Sequence, residues 1–219
     1  RGTNGAGEAY LILGHDTSGG TAGTVVSAAT VDHVLTPYSD SPALRRFGVS
    51  VSGAGDVNAD GYADFVVGSN VTDNPNNGVV YAGLYLGGAQ SDADLDAVDA
   101  TFISYVPSIV EPRPQWFERY QIGAPYGVRT AGLGDLDGDG FADFAVAAPT
   151  RDGDFNGRVY IFYGRVSGYD GGRLSIGNSF TGEPGDRLGS SIAGAGDFDG
   201  DGYDDLLMGT DLENSPRLL

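Results

Sequence analysis

One 23-residue pattern recurs three times in this chain without a gap, and it limits the fold more than any other feature. The copies read FGVSVSGAGDVNADGYADFVVGS from Phe47 to Ser69, YGVRTAGLGDLDGDGFADFAVAA from Tyr126 to Ala148, and LGSSIAGAGDFDGDGYDDLLMGT from Leu188 to Thr210. Their first loop aspartates, Asp56, Asp135 and Asp197, are 79 and 62 residues apart. Self-similarity at a fixed pattern marks a repeat architecture, in which each unit covers the apolar face of the next. A second motif lies between the copies: GVVYAGLYLG from Gly78 to Gly87 and GRVYIFYG from Gly157 to Gly164. GEAYLILG, from Gly7 to Gly14, has the same form with no acidic copy ahead of it. The chain is thus expected to open in the second half of one unit and to close in the first half of another.

Each half of the unit reads as strand. Small residues precede the acidic stretch, with Gly53-x-Gly55, Gly132-x-Gly134 and Gly194-x-Gly196 just before the aspartate. Such residues suit a crowded position where neighbouring backbones approach closely. Short apolar runs follow it (Phe65-Val66-Val67, Phe144-Ala145-Val146, Leu206-Leu207-Met208), and the Gly-x-x-Tyr runs supply a third strand. A fourth is expected within Thr24–Val34, Ala100–Val106 and Arg173–Phe180. Four strands per repeated unit is the layout of a β-propeller blade, so the fold class is all-β.

The chemistry is expected in three nine-residue loops. Positions 1, 3, 5 and 9 are Asp56, Asn58, Asp60 and Asp64 in the first, and Asp135, Asp137, Asp139 and Asp143 in the second. In the third they are Asp197, Asp199, Asp201 and Asp205. Position 6 is Gly61, Gly140 or Gly202, and position 7 is Tyr62, Phe141 or Tyr203. Alternate side chains at 1, 3 and 5 can reach one centre when the loop curls. Gly at 6 permits the positive φ of a sharp turn. The backbone carbonyl at 7 can face the same centre, and the carboxylate at 9 closes it. Hard oxygen donors in a flexible loop select Ca²⁺ over softer metals, which gives three expected calcium sites. An isolated Asp/Gly turn can simply cap a hairpin, but three copies in one context argue for a cation in each. The first site is expected to be the weakest, because Asn58 brings one charge fewer.

Composition supports this reading. Of the 30 acidic residues 25 are Asp, all 12 basic residues are Arg, and the net charge is −18. Asp with 37 Gly points to turns and hard cations instead of helices. Nucleic acid and anionic membranes are poor partners for such a surface. No apolar run approaches the roughly 18 residues of a membrane span, so membrane insertion is not expected. No leader-like start is present, so the chain is read as mature, internal or trimmed. The absence of Cys excludes disulfides, thiol catalysis and Cys-ligated zinc. An EF-hand would need Glu at loop position 12 and flanking helices. Position 12 is instead Val67, Val146 or Met208, with strand-like flanks.

With these residues in hand, the pattern resembles the FG-GAP repeat of the integrin α-chain N-terminal propeller and its bacterial relatives. Phe47-Gly48 is the FG element, varied to Tyr126-Gly127 and Leu188-Gly189. The GAP element appears as Gly68-Ser69-Asn70, Ala147-Ala148-Pro149 and Gly209-Thr210-Asp211. The resemblance implies that each acidic loop joins the first two strands of a blade and binds Ca²⁺, and that loops on the opposite face contact a protein or glycan ligand. It also implies an extracellular or cell-surface adhesion or recognition module without enzymatic activity. The blades are expected at residues 1–43 (second half), 44–122 (with a long insertion), 123–184 and 185–219 (first half), within a single region 1–219. That makes about three blade-equivalents where the family closes with about seven. The chain is therefore expected to be part of a longer propeller, or else a protomer that closes head to tail on a second copy.

The remaining features carry less. Trp116 sits in the inserted stretch Glu111–Tyr120 and suits either a binding hot spot or a loop anchor. Asn70-Val71-Thr72 is a glycosylation acceptor triplet. His15 and His33 occupy no repeated context, and no nucleophile elbow, zinc-protease helix or phosphate loop is present. The alternatives to a recognition module are the propeller domain of a secreted polysaccharide-active enzyme and a carbohydrate-binding lectin.

Overall fold

The computed structural model describes residues 7–12, 33–35, 45–70, 80–88, 101–105, 128–149, 155–166 and 177–211. All regular structure among them is strand, in four antiparallel sheets. A two-stranded sheet pairs β1 (Ala9–Leu11) with β2 (His33–Leu35). A four-stranded sheet follows in chain order: β3 (Arg45–Gly55), β4 (Asp64–Asn70), β5 (Val80–Tyr85) and β6 (Thr101–Tyr105). A second meander repeats it with β7 (Arg129–Gly134), β8 (Asp143–Ala148), β9 (Arg158–Phe162) and β10 (Ser179–Thr181). β11 (Ser191–Gly196) and β12 (Asp205–Gly209) form the last pair.

The expected fourth strands are present as β6 and β10; β10 takes in the end of its stretch and runs on to Thr181, and residues 173–176 of that stretch lie outside the described residues. β2 begins at His33, and residues 24–32 of its expected stretch lie outside the described residues. So do His15, the Glu111–Tyr120 segment, and Val71 and Thr72 of the acceptor triplet.

Successive sheets pack face to face, and the apolar core lies in the seams. Alternation along a strand sends neighbouring side chains to opposite faces. In β8, Phe144 and Val146 join Val57, Val66, Leu84, Tyr160 and Phe162 on one side. Ala145 and Ala147 join Leu133, Val159 and Ile161 on the other, where Leu206 and Met208 pack against them. β8 is therefore buried along its whole length. A third seam holds Ala9, Leu35, Phe47, Val67 and Tyr85. Phe47 of the FG element is thus a buried plug between the β1–β2 pair and the sheet that follows. Cross-strand rings repeat between sheets: Phe144 stacks on Phe162 and Phe65 on Tyr85, each with centroids 5.0 Å apart.

The first strands of successive sheets lie side by side, β3 against β7 and β7 against β11. Gly132 packs on the Gly53 carbonyl, and Gly194 packs on the Gly132 carbonyl. A Cβ at Gly132 would run into the Gly53 carbonyl oxygen, so no side chain fits between these two backbones. Ser50 Oγ and Thr130 Oγ1, 2.9 Å apart, tie the same strands further along. The small residues before each acidic stretch are where the backbones meet.

Candidate metal centre

The hairpin that carries each loop is shaped by a bulge. Pairing runs Gly53↔Phe65 and then Gly55↔Asp64, with Gly132↔Phe144 then Gly134↔Asp143, and Gly194↔Leu206 then Gly196↔Asp205. The extra residue is absorbed at Gly55, Gly134 and Gly196, whose φ values of 78°, 79° and 66° suit only glycine well. The bulge sets loop positions 1 and 9 beside each other, which is how residues eight apart come to share a centre.

Inside the loop the first aspartate organises the backbone. Asp135 Oδ1 accepts from the N–H groups of Gly138 (2.7 Å) and Asp139 (3.0 Å), and its Oδ2 accepts from Gly140 (2.9 Å). Asp197 makes the same three contacts at 2.7, 3.0 and 3.0 Å. Asp56 accepts from Asp60 at 3.1 Å and Gly61 at 2.8 Å. These are Asx-type turns closed by the positive φ of Gly61, Gly140 and Gly202 at 90–95°. The position-9 carboxylate is anchored as well: Asp64, Asp143 and Asp205 each accept from the position-2 N–H (Val57, Leu136, Phe198) at 2.8 Å.

One carboxylate oxygen from each of Asp135, Asp137 and Asp143 lies within 4.8 Å of the others, and the same holds for Asp197, Asp199 and Asp205. The position-5 carboxylates are engaged with the backbone: Asp60, Asp139 and Asp201 accept from the N–H of Tyr62, Phe141 and Tyr203 at 2.9, 3.0 and 2.9 Å. Positions 1, 3 and 9 are thus gathered in the second and third loops, and the carboxylates at positions 1, 3, 5 and 9 all accept backbone N–H bonds as well. The first loop departs twice. Asn58 stands at position 3 and donates from Nδ2 to Asp60 at 3.0 Å. Ala59 holds a φ of 57° where the other copies have Gly138 and Gly200, a conformation disfavoured for a residue with Cβ. The donors offered are all oxygen, three carboxylates in each of the second and third loops, and this set fits a hard divalent cation.

The sequence model of the FG-GAP repeat matches residues 126–162 and 188–216, the second and third copies. The chain carries FG-GAP repeats. It is also similar to integrin α chains over most of its length. Integrin alpha-4 of Xenopus laevis is 33% identical over 183 residues, 79% of this chain and 15% of that protein. Integrin alpha-V of Gallus gallus is 34% identical over 165 residues, 74% of this chain and 14% of that protein. Integrin alpha-IIb of Homo sapiens is 32% identical over 175 residues, with the same two shares. The chain thus spans less than a sixth of the length of these relatives. With these matches, the all-β fan of antiparallel sheets is an FG-GAP propeller architecture.

The FG-GAP loops hold their charge at a cost. Burial pushes the Asp143 carboxyl up to about 6, against the lowering effect of N–H bonds from Gly164 and Leu136. Burial likewise raises Asp64, opposed by N–H bonds from Gly87 and Val57. Desolvation and then the neighbouring Asp139 charge raise Asp137. Uncompensated carboxylates crowded in this way are what a cation relieves. Sequence reasoning missed two members of the site. Gly87 and Gly164 lie two residues beyond the third strand and donate to Asp64 Oδ1 at 2.6 Å and to Asp143 Oδ1 at 2.9 Å. Their signal was present: the Gly-x-x-Tyr motif closes on Gly in each copy, although no strand needs a glycine there.

Proposed function

We propose that this chain is a calcium-binding propeller module for adhesion or protein recognition on the outside of the cell. The observation that carries the proposal is the gathering of three carboxylates on one backbone scaffold in two separate loops. In each loop the residues at positions 1, 3, 5 and 9 would hold the ion: Asp56, Asn58, Asp60 and Asp64; Asp135, Asp137, Asp139 and Asp143; Asp197, Asp199, Asp201 and Asp205. The backbone carbonyls of Tyr62, Phe141 and Tyr203 would complete the set. A bound Ca²⁺ would neutralise the clustered charge and lock the hairpin. Its role here is structural, and the ligand surface is assigned to loops at the other end of the sheets. The integrin α relatives support the adhesion or recognition role and the cell-surface setting.

The same reading divides the chain into a second half-blade at 1–43, blades at 44–122 and 123–184, and a first half-blade at 185–219. The four sheets, two paired and two four-stranded, support that division. Completion of the ring is assigned to further blades or to a second copy joined head to tail.

Chelation tests the calcium reading. At free Ca²⁺ of about 10–100 times Kd, each site adds roughly 1.4–2.7 kcal/mol by mass action. With three sites, and at about 2–4 °C per kcal/mol for a chain of this size, EGTA should lower the melting temperature by roughly 10–30 °C. A melt unchanged after exhaustive chelation overturns the proposal.

A further inference from the structure

We infer that neighbouring acidic loops are thermodynamically coupled, so that an ion in one loop strengthens binding in the loop before it. The inference rests on the calcium reading and concerns how the sites act together.

The coupling element is a chain of backbone hydrogen bonds that recurs at both junctions. The N–H of Ala142, at position 8 of the second loop, donates to the Asp56 carbonyl of the first at 3.1 Å. That carbonyl belongs to the peptide whose N–H, on Val57, donates to Asp64 Oδ2 at 2.8 Å. At the next junction the N–H of Asp204 donates to the Asp135 carbonyl at 3.0 Å. The same peptide's N–H, on Leu136, donates to Asp143 Oδ2 at 2.8 Å. Two bonds thus join position 8 of each later loop to the position-9 carboxylate of the earlier one. Position 8 is flanked in its own loop by the residue offering a carbonyl and by the closing carboxylate. Whatever fixes the later loop fixes the peptide that aims the earlier carboxylate.

Each junction has a second tie. Asp143 Oδ1 accepts from Gly164 at 2.9 Å, and the next N–H, on Arg165, donates to the Val57 carbonyl at 2.7 Å. At the later junction the Asp204 carboxylate accepts from the Asp135 N–H at 2.8 Å. Bonds in series polarise one another, and a loop already ordered by its neighbour loses less entropy on binding. Both effects favour positive coupling, and linkage makes it reciprocal. Charge alone acts the other way, since a divalent ion next door repels a second one.

The test is a calcium titration of the 219-residue chain followed by NMR, with the amide resonances of Gly61, Gly140 and Gly202 reporting their own loops. Asp137→Ala empties the second loop. The expected result is a midpoint weakened about fivefold or more in the first and third loops. Asp199→Ala empties the third loop and should weaken the second more than the first. Unchanged or tighter midpoints next to the emptied loop overturn the coupling. So does an Asp199→Ala chain in which the first loop weakens as much as the second. If Asp137→Ala does not fold, Asp137→Asn takes its place, with the sheet resonances as the fold control. A wild-type chain that binds no calcium overturns the calcium reading and the coupling together. Three independent ions overturn the coupling alone.

Discussion

The second and third FG-GAP copies carry almost the same loop in different surroundings. Their Asx-turn bonds agree to within 0.1 Å, from Asp135 in one and Asp197 in the other. Around them everything differs. β8 is buried on both faces and Asp143 is fully buried, whereas Leu207 of β12 is 66% exposed and Asp205 is half-buried. The loop conformation is therefore set locally, by Asp at position 1 and glycine at position 6. Burial, and the strained ionisation that follows from it, is conferred by the flanking sheets.

The sharpest way to break that contrast is one substitution at one repeat position. Ala145 and Leu207 are equivalent, two residues past the closing aspartate. Ala145→Asp would bury an unpaired charge between two sheets and should cost at least about 3 kcal/mol in urea unfolding. In the monomeric 219-residue chain Leu207 faces solvent, and Leu207→Asp should stay within about 0.5 kcal/mol there. Equal losses would show that the two sheets are covered alike.

A smaller effect comes with acid. Asp143 has its carboxyl raised to about 6, so the ion-free folded chain takes up a proton there that the unfolded chain accepts only near 3.8. Without the ion, this group adds stability as pH falls through 6 toward 4. Calcium binding must displace that proton, so affinity at the second loop should fall about tenfold from pH 7 to pH 5. Calorimetry at both values checks it. Affinity flat in pH would remove burial from the account of this site.

The smallest change brings the first copy closer to the others. Asn58→Asp restores the missing carboxylate and should tighten the first loop on the order of threefold to tenfold. A titration in which Asn58→Asp leaves that loop unmoved would mean that position 3 does not touch the ion.

Much of this was legible from the chain alone. The repeat, the Asp-x-Asp-x-Asp-Gly loops and the first three strands of each sheet all rest on side-chain patterns that recur. The fourth strands were less so, because β2, β6 and β10 lie in stretches that share no motif and owe their place to edge pairing with the third strand. Gly87 and Gly164 showed only as the glycine that closes each Gly-x-x-Tyr motif, and their part as backbone N–H donors to the loop has no residue signature. The bonds from Ala142 and Asp204 to the preceding loop were hidden for the same reason. Spacing groups position 5 with positions 1 and 3, and its further bond from the position-7 N–H depends on the turn's backbone, which spacing does not reveal.

The glycine contacts between β3, β7 and β11 have a geometric consequence. At the Gly53–Gly132 and Gly132–Gly194 contacts only main chain separates one sheet from the next, while one and two strands away the seam is filled by the rings of Phe144 and Phe162. Layers thin on one side and thick on the other are tapered slabs, and tapered slabs laid together bend into an arc. The bend from one sheet to the next is thus written in side-chain volume.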